Sequence, residues 1–160
     1  MKIVSSAPGR IDFLNTHQDY KGLPTVPIAI DRRVSMIAKP RDDRLVSAMS
    51  KGIAGEMGKD LFPIDKPGYD VKAWWGNYLR AVVNTMAAAY GKDFKGLDVV
   101  IDSNLPVASG LGSSAALEVA FAELINRAND LGASARDIAE ICYRAEPVSY
   151  THLRAHETVL

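Results

Sequence analysis

The stretch Pro106-Val-Ala-Ser-Gly-Leu-Gly-Ser-Ser-Ala-Ala116 constrains this chain most. It follows a β-branched run at residues 97–101 (Leu-Asp-Val-Val-Ile) that reads as a strand. It leads into a helical pattern with Leu117, Ala120, Phe121, Leu124 and Ile125 on one face. A strand, a Gly/Ser loop and a helix start in that order create a place where backbone N–H groups converge. Gly110 and Gly112 permit the close approach of an anion and the torsions this requires. A helix beginning near Ser113 adds unpaired N–H groups and a dipole, both favourable to negative charge. Ser109, Ser113 and Ser114 supply hydroxyls for phosphate oxygens or a metal. The loop is not a Walker A motif, which ends in Gly-Lys-Ser/Thr. No lysine follows Lys95, so the backbone and a metal must carry the positive charge. The plain alternative is a Gly/Ser turn that only caps a helix.

The remaining elements point to an α+β domain, with strands first and helices later. Ile3 and Val4 start a strand that Pro8-Gly9 is expected to punctuate, and residues 11–14 resume extended structure. Residues 15–22 read as a polar loop. Residues 26–29, 34–38 and 44–47 read as three short strands. Residues 50–68 hold four Gly and two Pro, which predicts irregular structure. Over residues 73–90, Trp75, Leu79, Val82, Val83 and Met86 recur at helical spacing, with Gly91 as the stop. After the helix that follows the loop, residues 129–132 are a break. Ser134 with Asp137 three residues on is an approximate capping box for a last helix. Its apolar stripe is Ile138, Ile141, Cys142 and Ala145.

Bulk properties narrow the class without naming a function. The 160 residues suffice for one domain with a core, and the 48% apolar share is that of an ordinary globular protein. Basic and acidic residues balance at 19 each, which argues against holding nucleic acid or a membrane surface by bulk charge. The single cysteine, Cys142, allows no internal disulfide, and a cytoplasmic location is the expectation. No run has the length of a membrane span, and the first residues lack the apolar core of a secretory signal.

Three segments together resemble one family. The loop at residues 106–116 resembles the phosphate-binding motif of the GHMP kinases, the relatives of galactokinase, homoserine kinase, mevalonate kinase and phosphomevalonate kinase. Pro8-Gly-Arg-Ile-Asp-Phe-Leu-Asn-Thr-His-Gln-Asp-Tyr-Lys-Gly22 resembles the N-terminal galactokinase signature. Trp75-Gly-Asn-Tyr-Leu-Arg-Ala-Val82 resembles the galactokinase helix that precedes the phosphate loop. A mevalonate-type kinase does not account for that last segment.

The resemblance implies a fold: the GHMP-kinase N-terminal domain (ribosomal protein S5 domain 2-like), with a left-handed crossover and a C-terminal domain to follow. It implies an ATP-dependent sugar kinase using Mg2+, with ATP phosphates on Ser109, Gly110, Leu111, Gly112, Ser113 and Ser114. Arg10 matches the arginine close to the reacting hydroxyl and phosphate, against the plain alternative of a structural salt bridge. His17 and Asp19 match sugar-contacting positions. Trp75 matches a tryptophan near the adenine in some members, and core packing explains it equally; Trp74 can take either part. Ser114 and Glu146 match the family's magnesium ligands.

The sequence also departs from the family. The galactokinase signature has Glu where this chain has Thr16. A carboxylate is a stronger hydrogen-bond acceptor than a hydroxyl, so the expected sugar widens from galactose to a related aldose or uronic acid. A non-catalytic sugar- and ATP-binding regulator derived from a galactokinase is the alternative. Beyond Glu146 the family continues into a glycine-rich segment with a catalytic aspartate. Residues 147–160 instead resemble translated sequencing-adapter read-through. The domain is therefore expected to span residues 1–146, incomplete, with a non-native tail and no kinase activity of its own. Pro147 is expected to end the last helix. His152, His156 and Glu157 have the spacing of a helical zinc pair, but they fall in that tail and are not taken as a site.

Overall fold

The computed structural model describes residues 1–14, 24, 26–91, 93–106 and 109–157; for Leu14 and residues 147–157 it describes the backbone alone. Among the described residues, five strands form one mixed sheet and three helices cover one of its faces. The strands are β1 (Ile3–Leu14), β2 (Val26–Arg41), β3 (Leu45–Ser50), β4 (Lys59–Pro63) and β5 (Gly96–Ser103). The helices are α1 (Gly76–Tyr90), α2 (Ser113–Ala128) and α3 (Ala135–Glu157). The sheet order is β1-β2-β5-β3-β4, with β3 parallel to β5 and the other neighbours antiparallel.

Alternation along the strands sets the core. Ile3 and Ala7 of β1, Val34, Met36 and Ala38 of β2, and Leu97, Val99 and Ile101 of β5 are buried beneath the helices. Val46 and Ala48 of β3 and Phe62 of β4 continue that face. The other face carries exposed Val4, Ile37, Met49 and Leu61. α2 lies on β1 and β2, and α1 and α3 pack against it. That central position explains its burial on nearly all sides, from Ala116 to Ala128.

Several local expectations are corrected. Pro8-Gly9 does not interrupt β1. The strand runs through, and its register shifts between Pro8, paired with Arg33, and Arg10, paired with Ala29. β1 is an edge strand, where a missing N–H costs little. Residues 26–29 and 34–38 are parts of one long strand, β2, whose first half is mostly exposed and so lacks the alternation of a covered strand. Residues 50–68 are not irregular throughout, because a 3-10 turn (Gly55–Gly58) and β4 lie within them.

α1 starts at Gly76 rather than near residue 73, with Trp75 at its N-cap. Its N-terminal part is fastened to β4 by Arg80 and Asp60, whose side chains are each 5% exposed. Arg80 Nη2 donates to Asp60 Oδ1 at 2.8 Å, a second bond joins Arg80 Nη1 to Asp60 Oδ2, and the guanidinium lies 4.4 Å from the Phe62 ring centre.

α3 also differs from expectation, since it runs through Pro147 to Glu157. Proline removes one i→i−4 bond, and the bonds on either side carry the helix past it. The capping box is present as expected. Asp137 N donates to Ser134 Oγ at 3.2 Å, and Ser134 N donates to Asp137 Oδ2 at 2.8 Å.

A candidate phosphate-binding site

The Gly/Ser loop leaves β5, crosses the bulge of β1 and enters α2. Its entry is pinned to β2. Asn104 Oδ1 accepts from Arg33 N at 2.6 Å, Asn104 N donates to Arg33 O at 3.2 Å, and Arg32 Nη1 donates to Asn104 O at 3.0 Å. Leu105 then buries its side chain beside Gly9. A Cβ on Gly9 would collide with Leu105 Cδ2 and stand 2.9 Å from Leu111 O. Glycine at position 9 therefore lets the loop lie against β1, and Arg10 N donates to Leu111 O at 2.8 Å.

The exit of the loop is an open helix terminus. Gly110 (φ 71°) and Gly112 (φ 67°) both adopt the left-handed conformation that glycine takes without penalty. Gly112 is the N-cap of α2 and has no side chain to offer its first turn. The first intrahelical bond is Ala116 N to Gly112 O at 3.0 Å. The N–H groups of the first turn thus present partial positive charge without a capping side chain. No acidic residue occupies that turn. Ser113 and Ser114 are half-buried there, and Ser109 Oγ donates back to Pro106 O at 2.8 Å.

Arg10 belongs to the same place. A Cβ on Gly112 would stand 2.9 Å from Arg10 Cγ and 3.3 Å from Arg10 Nε, so the arginine stem lies across the helix start. Its guanidinium pairs with Asp12 at 3.2 Å and its side chain is 45% exposed. The structure therefore brings together Arg10, Gly110, Leu111, Gly112, Ser113 and Ser114. Docking of α2 on β1 fixes this arrangement: Ser5 Oγ donates to Ala120 O at 2.7 Å, and Arg127 Nη1 donates to Val4 O at 3.2 Å.

Other candidate residues fall elsewhere. Trp75 is a core residue, and its indole N–H donates to Met57 O at 2.8 Å, while Trp74 is exposed. Thr16, His17 and Asp19 lie outside the described residues. Glu146 is half-buried on α3.

Sequence reasoning missed one group near Glu146. Glu118, one turn beyond Ser114 on α2, is fully buried, and neither of its carboxylate oxygens has a hydrogen-bond partner. Burial, and secondly the charge of Glu146, push its pKa up to about 8. Burial, followed by Glu118 and Glu146, likewise pushes the Cys142 thiol up to about 12. The sequence signal was a carboxylate set within the apolar run Ala115-Ala-Leu-Glu-Val-Ala-Phe121. Among the described residues, no three His, Cys, Asp or Glu side chains form a cluster able to cage a metal. Ser114 at the start of α2 and Glu146 on α3, a helix packed on α2, carry oxygen donors of the kind Mg2+ takes, which needs few protein ligands and completes its shell with phosphate and water oxygens.

Comparison with known proteins bears on the same segments. Residues 77–152 match the model of the GHMP kinases N terminal domain, and residues 1–40 match the galactokinase galactose-binding signature. The chain is 41% identical over 133 residues to a galactokinase of Roseiflexus sp. (strain RS-1), covering 81% of this chain and 33% of the relative. It is 39% identical over 132 residues to a galactokinase of Chloroflexus aggregans, with 81% and 33% covered. The chain thus spans about a third of the length of these curated relatives. Among solved structures, Lactococcus lactis galactokinase complexed with galactose superposes with a TM-score of 0.83 at 26% identity, over 91% of this chain and 37% of that one. Methanococcus jannaschii mevalonate kinase shares the fold, with a TM-score of 0.73 at 18% identity over 91% and 46% of the two chains. The two matched models hold the bulge of β1, the glycine loop and the helix it starts, and by them this chain belongs to the GHMP kinases and carries their N-terminal domain.

Proposed function

We propose that this chain is the nucleotide-binding part of a galactokinase-like enzyme that transfers a phosphoryl group from ATP to a sugar hydroxyl. The observation that carries this reading is the uncapped start of α2 behind Gly112, with the Arg10 side chain lying across it. The loop binds the ATP phosphates through backbone N–H groups and the hydroxyls of Ser109, Ser113 and Ser114. Arg10 supplies a fixed cation beside the transferring group. Phosphoryl transfer is accelerated mainly by positioning and by stabilising such charge.

Ser114 and Glu146 would hold Mg2+, which neutralises charge on the phosphate oxygens when bound. The sugar sits by Thr16, His17 and Asp19. Thr16 in place of the family's glutamate favours galactose less and admits a related aldose or a uronic acid. The family's aspartate that positions or deprotonates the attacking hydroxyl is expected just after Glu146, and no Asp follows Asp137 in this sequence. On this reading the 160 residues alone bind Mg-ATP at most weakly and do not phosphorylate sugar, with residues 1–146 as the domain and 147–160 as a non-native tail.

A chimera tests this. Residues 1–146 are joined to the remaining two thirds of the Roseiflexus relative and offered ATP with a panel of aldoses and uronic acids. Sugar phosphate should form in equal amount to ADP, and Arg10→Ala should abolish it. A folded chimera that binds ATP and sugar but turns over neither would favour the regulator reading instead.

A further inference from the structure

Glu118 has no role in the reading above, yet its position demands one. A buried carboxylate without a hydrogen bond or cation is among the least favourable groups a core can hold. Here the side chain is 0% exposed and both oxygens are orphaned. The charged group acting on it is another carboxylate, Glu146, and the third group facing them is the Cys142 thiol. Neither neighbour offers Glu118 a positive charge, and its two buried oxygens stay without a hydrogen bond. Ser114 and Glu118 are four residues apart on α2 and therefore share a face. α3 packs on α2, and along it Glu146 sits one turn beyond Cys142.

We infer that Glu118 is an additional oxygen donor to the divalent cation expected at Ser114 and Glu146, held directly or through one coordinated water. The inference rests on the nucleotide-site reading. It adds that the cation site extends inward along α2, with two carboxylates and a hydroxyl from two helices. A cation there answers the orphaned oxygens of Glu118. It also explains why a helix packed on all sides keeps a carboxylate where an apolar side chain would pack.

Mn2+ serves as the probe, since the fraction of free ion is read directly by paramagnetic resonance without turnover. Mn2+ is titrated into the 160-residue chain, alone and with a non-hydrolysable ATP analogue, for wild type, Glu118→Gln, Glu146→Gln and the exposed control Glu140→Gln. Glu118→Gln should weaken Mn2+ binding by about tenfold or more, as Glu146→Gln does, with circular dichroism unchanged and Glu140→Gln without effect. Wild-type affinity in Glu118→Gln would overturn the inference. So would a wild-type chain that binds no Mn2+ with or without nucleotide, which would leave the carboxylate satisfied by a proton alone. Should Glu118→Gln fail to fold, Glu118→Asp keeps the charge but withdraws the oxygens, and unchanged Mn2+ affinity there overturns the inference equally. Loss of analogue binding by wild type, with Mn2+ binding intact and sensitive to Glu118, would instead count against the nucleotide reading and leave the cation site standing.

Discussion

Replacing Glu118 by glutamine should change how the stability of the metal-free protein depends on pH. The folded-state pKa is about 8, against an ordinary value of 4.5, because burial and Glu146 disfavour the charged form. A raised carboxyl pKa means that the folded state holds a proton the unfolded state has released. Stability from this group is fully present below pH 4.5 and is lost as pH rises toward 8. Each pH unit between those values removes about 1.4 kcal/mol, or about 3 kcal/mol by pH 7. Glutamine has nearly the same shape and no charge to lose. Urea unfolding, followed by circular dichroism with a chelator present, should show the two proteins nearly equal in stability near pH 4.5. By pH 7, Glu118→Gln should be the more stable by a few kcal/mol. Parallel stability curves from pH 4.5 to 8 would refute the reasoning, as would a wild type that gains on the variant as pH rises.

Two further predictions concern the fold and the sugar. Asp60→Ala leaves Arg80 charged and unpaired in the core, and removing one partner of a buried pair costs about 3–5 kcal/mol; a loss below about 1 kcal/mol in urea unfolding would show that the pair does not fasten β4 to α1. Thr16→Glu in the chimera should move sugar preference toward galactose by about tenfold, matching the roughly 1.5–3 kcal/mol of a hydrogen bond to a charged group, and an unchanged ranking across the aldose panel would count against it.

Much of the site was legible because its chemistry is local. The turn at Gly110 and Gly112, the start of α2 at Ser113 and the Ser134–Asp137 cap all depend on residues within a few positions of one another. The family resemblance then joined Arg10 to the loop, and the structure supplies the contact: Arg10 N on Leu111 O, made possible by Gly9. What sequence did not reveal depends on distant partners. β4 sits between glycines and prolines, and it is a strand because β3 pairs with it and Phe62 and Arg80 hold its inner face. Pro8 is tolerated because β1 is an edge. Glu118 stands among apolar neighbours in sequence, and only the packing of α3 on α2 brings Glu146 to bear on it.

The central claim is that ATP phosphates sit on the start of α2, and nucleotide affinity in a Gly112 variant tests it most directly. Gly112 is at φ 67°, and a Cβ there would stand 2.9 Å from Arg10 Cγ. Valine adds branched bulk where the backbone must approach phosphate, and its left-handed torsion costs roughly 1–2 kcal/mol. Calorimetric titration of the chimera with Mg-ATP should show binding when Gly112 is kept. Gly112→Val, with its circular dichroism spectrum retained, should show none. A folded Gly112→Val that binds Mg-ATP as tightly as wild type would contradict the account.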